Sequence, residues 1–288
     1  MTEPAAGVIH DIGYQRYQGA RLGRRYAVRA LYTHSLRTAY GLGRSAKSKV
    51  FPWLVVGIVG IVAVVVTAVR AVAGEVVLTY PGLPDAVFPL LILFGAIAGP
   101  ELLSRDLHSG VLSLYFSRPV RRSDYALAKL AALVSAIWLL LAGAQLVMYL
   151  GAVFTVDGWS AIWDETTDLA GGLLYSAVHA LVVAALAVLI ASLLSRRAVA
   201  APIVVAAFLV TLPVVGLLEA VGGETARQIS GLFSPGTLVL GVRAWLFGSG
   251  VDDVPDLGGF EPLYAVVTLG LVAACVGLLL VRYRKVRA

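Results

Sequence analysis

The chain has 288 residues, 59% of them hydrophobic and only 14% charged, and its 23 lysines and arginines outweigh 17 acids for a formal charge of +6. A soluble domain is roughly 45–50% apolar and about 25% charged. The composition therefore excludes a soluble enzyme, a disordered chain and a fibre, and predicts an all-α polytopic membrane protein.

Residues 1–50 are polar and basic and hold no apolar stretch of the kind that forms a cleavable signal peptide. They are expected to form a cytoplasmic N-terminal segment. Within it, residues 24–42 read as a helix. Val28, Leu31, Tyr32, Leu36, Ala39 and Leu42 cover one arc, with Arg29, Thr33, His34 and Arg37 opposite. That pattern predicts an interfacial amphipathic helix, apolar arc in the lipid and arginines toward phosphates. Gly41-Leu42-Gly43-Arg44 matches a dinucleotide-binding fingerprint by letter only, since no strand precedes it.

A helix needs about 20 mostly apolar residues to cross the hydrocarbon core. Six windows qualify, at 51–73, 86–103, 130–154, 169–194, 198–218 and 263–281, so that 51–281 forms a six-span domain. Pro89, Gly95, Gly99 and Pro100 predict a kinked or partly unwound second span. Arg196 and Arg197, with Pro202 after them, divide spans four and five.

Twenty of the 23 basic residues fall in 1–50, 104–129, the 196–197 turn and the tail 282–288, leaving Arg70, Arg227 and Arg243. Twelve of the 17 acids fall on the other side, including Asp157, Asp164, Glu165 and Asp168. The positive-inside rule then puts both termini in the cytoplasm, with 282–288 as a basic cytoplasmic tail. It also removes nucleic acid as the reason for the basic balance. Trp53, Trp159, Trp163 and Trp245 lie near predicted membrane boundaries, whereas Trp138 falls inside span three and is expected to pack on a neighbour.

Between spans two and three, Leu107, Val111, Leu114 and Tyr115 give a short helix over 106–116 with one apolar face, stopped by Pro119 amid Arg118, Arg121 and Arg122. That face must be buried on the membrane surface or on a partner protein, and these physical grounds leave both open. The outer segment 219–262 is too long for a plain connection. Its stretch 229–248, broken by Ser234, Pro235 and Gly236, predicts short re-entrant or surface helices.

Few ionisable or strongly polar groups fall inside the spans, where they are costly and mark function. They are Glu101, Gln145, His179 and Glu219. His179 reads as a packed interhelical donor, and the four histidines lie in unrelated segments, so no catalytic residue, metal or cofactor is expected. Neither a zinc motif nor a GxxxxGK[ST] phosphate loop is present, so any ATP-driven role requires a separate ATPase.

Residues 101–129, ELLSRDLHSGVLSLYFSRPVRRSDYALAK, resemble the permease subunits of ABC-2 type ATP-binding cassette exporters. In that family a polar patch at the end of span two leads to a glycine and a coupling helix, then a Pro-x-x-Arg step and a lysine entering span three. Asp106, Gly110, Pro119, Arg122, Asp124 and Lys129 match those positions; Ala128 replaces a frequent glycine, and the Arg105-Asp106 order is reversed. The six-span plan, the lead-in helix and the outer segment also resemble the family, and the opening IHDIGYQRYQGARLGRRYAVRAL resembles permeases of high-GC Gram-positive bacteria.

The resemblance implies a multi-pass protein of the bacterial plasma membrane whose 106–116 helix docks on a cytosolic ATP-binding cassette ATPase. Arg105, Asp106, Leu107, Gly110, Val111, Leu114 and Tyr115 would form the coupling segment, with Arg118, Pro119, Arg121 and Arg122 at its rim. It also implies a second permease subunit, identical or related, and ATP with magnesium held by the ATPase alone. Closure of the ATPases would tilt spans one, two and five, with Glu101 as the gate candidate or merely the cap of a bend. An apolar path suits an amphiphilic or lipid-like cargo. A permease for maturation or copper-site assembly of an exported enzyme, a non-transporting scaffold and a membrane enzyme are the alternatives.

Overall fold

The computed structural model describes residue 19 and residues 22–110, 112, 115, 120–248 and 257–285. The described residues are helical, with no strand among them. In chain order the helices are α1 (Arg24–Ala39), α2 (Ala46–Ala73), α3 (Gly82–Ala86), α4 (Phe88–Leu102), α5 (Ser104–His108), α6 (Arg122–Val153) and α7 (Trp159–Leu193). There follow α8 (Arg197–Leu209), α9 (Leu212–Val221), α10 (Glu224–Ser230), a 3-10 turn (Gly231–Phe233), α11 (Pro235–Phe247) and α12 (Glu261–Lys285).

Six stretches are long and apolar enough to cross a membrane: Ala46–Ala73, Phe88–His108, Arg122–Val153, Trp159–Leu193, Arg197–Val221 and Glu261–Lys285. Each overlaps one of the windows read from hydropathy. The third and fourth begin eight and ten residues earlier than their windows, because polar first turns continue the helix past the apolar run. Asp164, Glu165 and Asp168 therefore lie on α7 rather than in a loop. Spans two, three and four bury 61%, 56% and 56% of their apolar windows inside the protein, against 22%, 22% and 28% for spans one, five and six. The first group is thus the centre of the bundle, and the second presents its apolar side chains outward.

The interruption of span two lies at Leu103, between α4 and α5. α4 runs unbroken to Leu102, with Pro89 in its first turn, where a missing N–H costs nothing, and its break comes after Pro100. Gly95 and Gly99 serve packing instead. A Cβ on Gly95 would stand 2.8 Å from Val183 Cγ1, and one on Gly99 3.2 Å from Ala187 Cβ. Small residues four apart let two helix backbones approach closely, and Ser104 at the foot of the same seam donates to Ala191 O at 3.0 Å. Gly95→Val is expected to lower stability by about 1–3 kcal/mol through overpacking, read as an earlier unfolding midpoint in detergent. An unchanged midpoint would show that the α4–α7 seam is loose.

The fifth span is interrupted between α8 and α9, where Pro213 in the first turn of α9 cannot donate to the ladder. Between spans five and six, Glu224–Phe233 and Pro235–Phe247 form a helix pair bent by 115°. Trp53, Trp159, Trp163 and Trp245 are exposed, while Trp138 Nε1 donates to Leu173 O of α7 at 3.0 Å, the packing on a neighbour expected of it.

The arc of α1 expected to meet lipid is packed largely on protein. Leu31 and Ala39 are buried and Val28, Tyr32 and Leu36 are partly buried against the bundle core. Tyr32 Oη donates to Ser135 Oγ of α6 at 2.9 Å. Tyr40 Oη donates to Ala136 O at 2.6 Å, and burial pushes its hydroxyl up to about 12. The helix ends at Gly41, whose φ of +68° lets its N–H reach Thr38 O while Leu42 N–H reaches Arg37 O. The glycine-rich letters at 41–44 are therefore a helix C-cap, and this cap turns the chain so that Arg44 faces the end of α4.

Candidate functional site

Polar side chains collect at the two ends of the bundle. At one end the centre is Glu101, in the last turn of α4. It accepts from Arg44 in the α1–α2 turn and from Arg197 at the start of α8, and Arg105 Nη1 of α5 stands 3.6 Å away. One carboxylate thus joins the entries to spans one and five with the exit of span two. Burial, and then the neighbouring Arg105 and Arg197 charges, push the Arg44 guanidinium below its usual value.

One turn further on, Asp106 Oδ2 receives Lys129 Nζ and Tyr125 Oη, both at 2.8 Å and both from α6. Lys129 is nearly enclosed, its side chain 4% exposed. Tyr125 stacks against Tyr115 and against Tyr283 of α12, with ring centres at 5.5 and 5.3 Å. Asp124 accepts both arms of Arg24 at 2.5 and 2.6 Å and also the Arg121 N–H that opens α6. Arg122 Nη1 donates to Arg284 O of α12 at 3.0 Å. The N-terminal helix, α5, the start of α6, the 196–197 turn and the end of α12 therefore meet at one end of the bundle.

Of the coupling residues expected from sequence, Arg105, Asp106 and Leu107 lie on α5, and Leu107 packs partly against the core. The continuous helix expected over 106–116 is interrupted. α5 stops at His108, and Gly110 takes a φ of +67°, a left-handed conformation open to glycine and costly to other residues. Tyr115 is helical again. Val111, Leu114, Arg118 and Pro119 lie outside the described residues. Arg121 and Arg122 begin α6, close to Asp124 and Arg284.

The opposite end carries a network centred on Asp85, which the sequence does not single out, and takes in His179 and Gln145, which it does. Asp85, at the end of α3, accepts Tyr175 Oη at 2.8 Å and Arg243 Nη1 of α11 at 3.1 Å, and His179 Nε2 stands 3.2 Å from it. His179 is almost fully buried, with its ring edge-on to Tyr175 and Phe88. It is an interhelical contact, as expected, but to a carboxylate. Arg70 at the end of α2 forms a two-armed ion pair with Glu165, which also accepts Tyr80 Oη at 2.7 Å. Burial, and then the Glu165 carboxylate, push the Tyr80 hydroxyl up. Gln145 Nε2 holds Tyr80 O at 2.7 Å, and Glu219 accepts a long 3.4 Å bond from Ser230. A cavity of about 340 Å³ lies among Thr67, Arg70, Tyr80, Glu165 and Phe247.

One signal in the sequence pointed here. Arg70 and Arg243 are two of the three basic residues that break the one-sided charge distribution, and each has a carboxylate partner waiting at this end. Among the described residues no group of three His, Cys, Asp or Glu side chains is placed to hold a metal ion. No known family model matches the chain, and no curated protein matches it.

Proposed function

We propose that the chain is the membrane-spanning permease subunit of an ATP-driven exporter, working with a separate cytosolic ATPase. The positive-inside rule assigns the Glu101 end to the cytoplasm, because it gathers the basic segments. α1 then lies at the inner membrane interface, and the bent helix pair between spans five and six lies on the outer face of a bacterial plasma membrane. The observation that carries the reading is the pairing of Asp106 with Lys129 beside the linkage of Glu101 to Arg44 and Arg197. A push on the 104–122 segment would pass through charge pairs to span three, and to the entries of spans one and five, without needing a long lever.

In this reading Glu101 is the gate residue. Its arginines come from three elements that separate if the spans tilt, so alternative pairings of one carboxylate would bias two conformations. Spans one, five and six, apolar and outward-facing, would meet lipid and a second permease subunit, and the cargo would be amphiphilic or lipid-like.

Co-purification tests the reading. An ATP-binding cassette ATPase should accompany the detergent-solubilised wild-type chain and be lost when Leu114→Asp is combined with Arg121→Glu. If no ATPase is recovered with wild type under gentle conditions, the chain is better read as a membrane scaffold. Glu101→Gln should retain the ATPase but change cargo-stimulated ATP hydrolysis about fivefold or more, the usual scale of coupling between sites. Unchanged stimulation would make Glu101 a structural cap.

A further inference from the structure

At the Glu101 end, the exposed polar face of α1 borders a concave surface. Arg29, Thr33, His34 and Arg37 line a basin of about 1250 Å³ together with Arg44 and Arg105. Residues four apart on a helix lie about 6 Å apart along its axis, so Arg29 and Arg37, eight apart, bracket Thr33 and His34 along the basin. Two carboxylates lie nearby. Asp106 is occupied by Lys129 and Tyr125, and Glu101 by Arg44 and Arg197. Arg29 and Arg37 have no carboxylate partner among the described residues, and Arg105 is half exposed and 3.6 Å from Glu101.

The charge balance of the basin is therefore positive and unspent. His34 registers it: partial burial first, and then the Lys129, Arg44 and Arg105 charges, hold its imidazole below the usual value against the opposing pull of Asp106. Several guanidinium groups around one basin match a tetrahedral dianion with three acceptor oxygens better than a single planar carboxylate.

We propose that this basin binds a phosphoryl group, seated between Arg29 and Arg37 of α1 and facing Arg44 and Arg105. The group could be carried by an anionic lipid headgroup or by a free phosphate monoester. The exporter reading supplies only the side of the membrane; the site itself does not depend on it.

The test uses the full chain in phosphatidylcholine nanodiscs with no ATPase present, so its outcome is separate from that of the co-purification experiment. One arm adds glycerol 3-phosphate, and the other includes phosphatidic acid in the nanodisc. Binding should raise the His34 titration midpoint seen by NMR, because a nearby dianion favours imidazolium. By linkage, His34 then takes up a proton on binding between its free and bound midpoints. Arg37→Gln should weaken binding about tenfold, the scale of one charge-assisted hydrogen bond. Lys47→Gln, at an exposed cation outside the lining of the basin, should leave it unchanged. A response in the phosphatidic acid arm alone identifies a lipid headgroup, and a response in both arms identifies a free phosphate site. The proposal is overturned if neither ligand moves His34, or if Lys47→Gln weakens binding as much as Arg37→Gln.

Discussion

Asp85→Asn should be among the most destabilising single substitutions in this chain, costing about 3–5 kcal/mol. Asp85 receives a guanidinium, a phenol and an imidazole from α11 and α7, and the Arg243 side chain is only 7% exposed. Asparagine keeps the size and can still accept from Tyr175, but it removes the negative charge that offsets the buried guanidinium. Taking one member from a buried pair leaves the other desolvated, and this costs far more than the pair contributes on its own. Asp85→Asn combined with Arg243→Met should therefore recover part of the loss. The comparison is an unfolding midpoint in mixed micelles for the two variants and wild type. If the single variant unfolds like wild type, water reaches Arg243 and the cluster is not a buried charge centre.

The second large effect is an asymmetry at Asp106 and Lys129. The two side chains form one ion pair, but Lys129 is 4% exposed and Asp106 16%. Asp106→Ala strands an ammonium among apolar neighbours and should cost about 3–5 kcal/mol. Lys129→Met strands a carboxylate that lies nearer the edge and still accepts from Tyr125, so its cost should be about 1–2 kcal/mol. The double variant should resemble Lys129→Met rather than the sum, because neither charge is left. Thermal unfolding of the three variants in one detergent decides it, and equal costs for the two single variants would mean that burial is not what distinguishes the partners. Under the exporter reading Lys129→Met carries a further consequence: the 104–122 segment would lose a tie to span three while the fold persists.

The six spans were legible because crossing a membrane is a local requirement. About 20 apolar residues in a row meet it wherever the rest of the chain goes, and hydropathy placed every span. Helix ends were less legible. Polar turns at Arg122 and Trp159 continue helices beyond the apolar windows, since the hydrogen-bond ladder of a helix does not stop where hydrophobicity does. Gly95 and Gly99 illustrate a different failure. The same residues can unwind a helix or let another approach, and only the presence of Val183 and Ala187 across the seam selects the second role. The interruption of span two therefore falls beyond these glycines, at Leu103. The interruption of the 106–116 helix has the opposite lesson. Gly110 was visible as a glycine, but periodic apolar residues on either side suggested continuity, and its left-handed backbone conformation overrode them.

Composition and the distribution of arginine and lysine by themselves determined that the chain is helical with six stretches long and apolar enough to cross a membrane among its described residues, and which of its segments are basic. Tertiary structure alone decided which charges meet. Glu101 and Arg197 are 96 residues apart in sequence, Arg70 and Glu165 are 95 apart, and Asp85 and Arg243 are 158 apart. An ion pair forms where the packing of distant helices brings two side chains within a few ångströms. No local pattern encodes that distance, whereas hydrophobic length and helical period are written residue by residue along the chain.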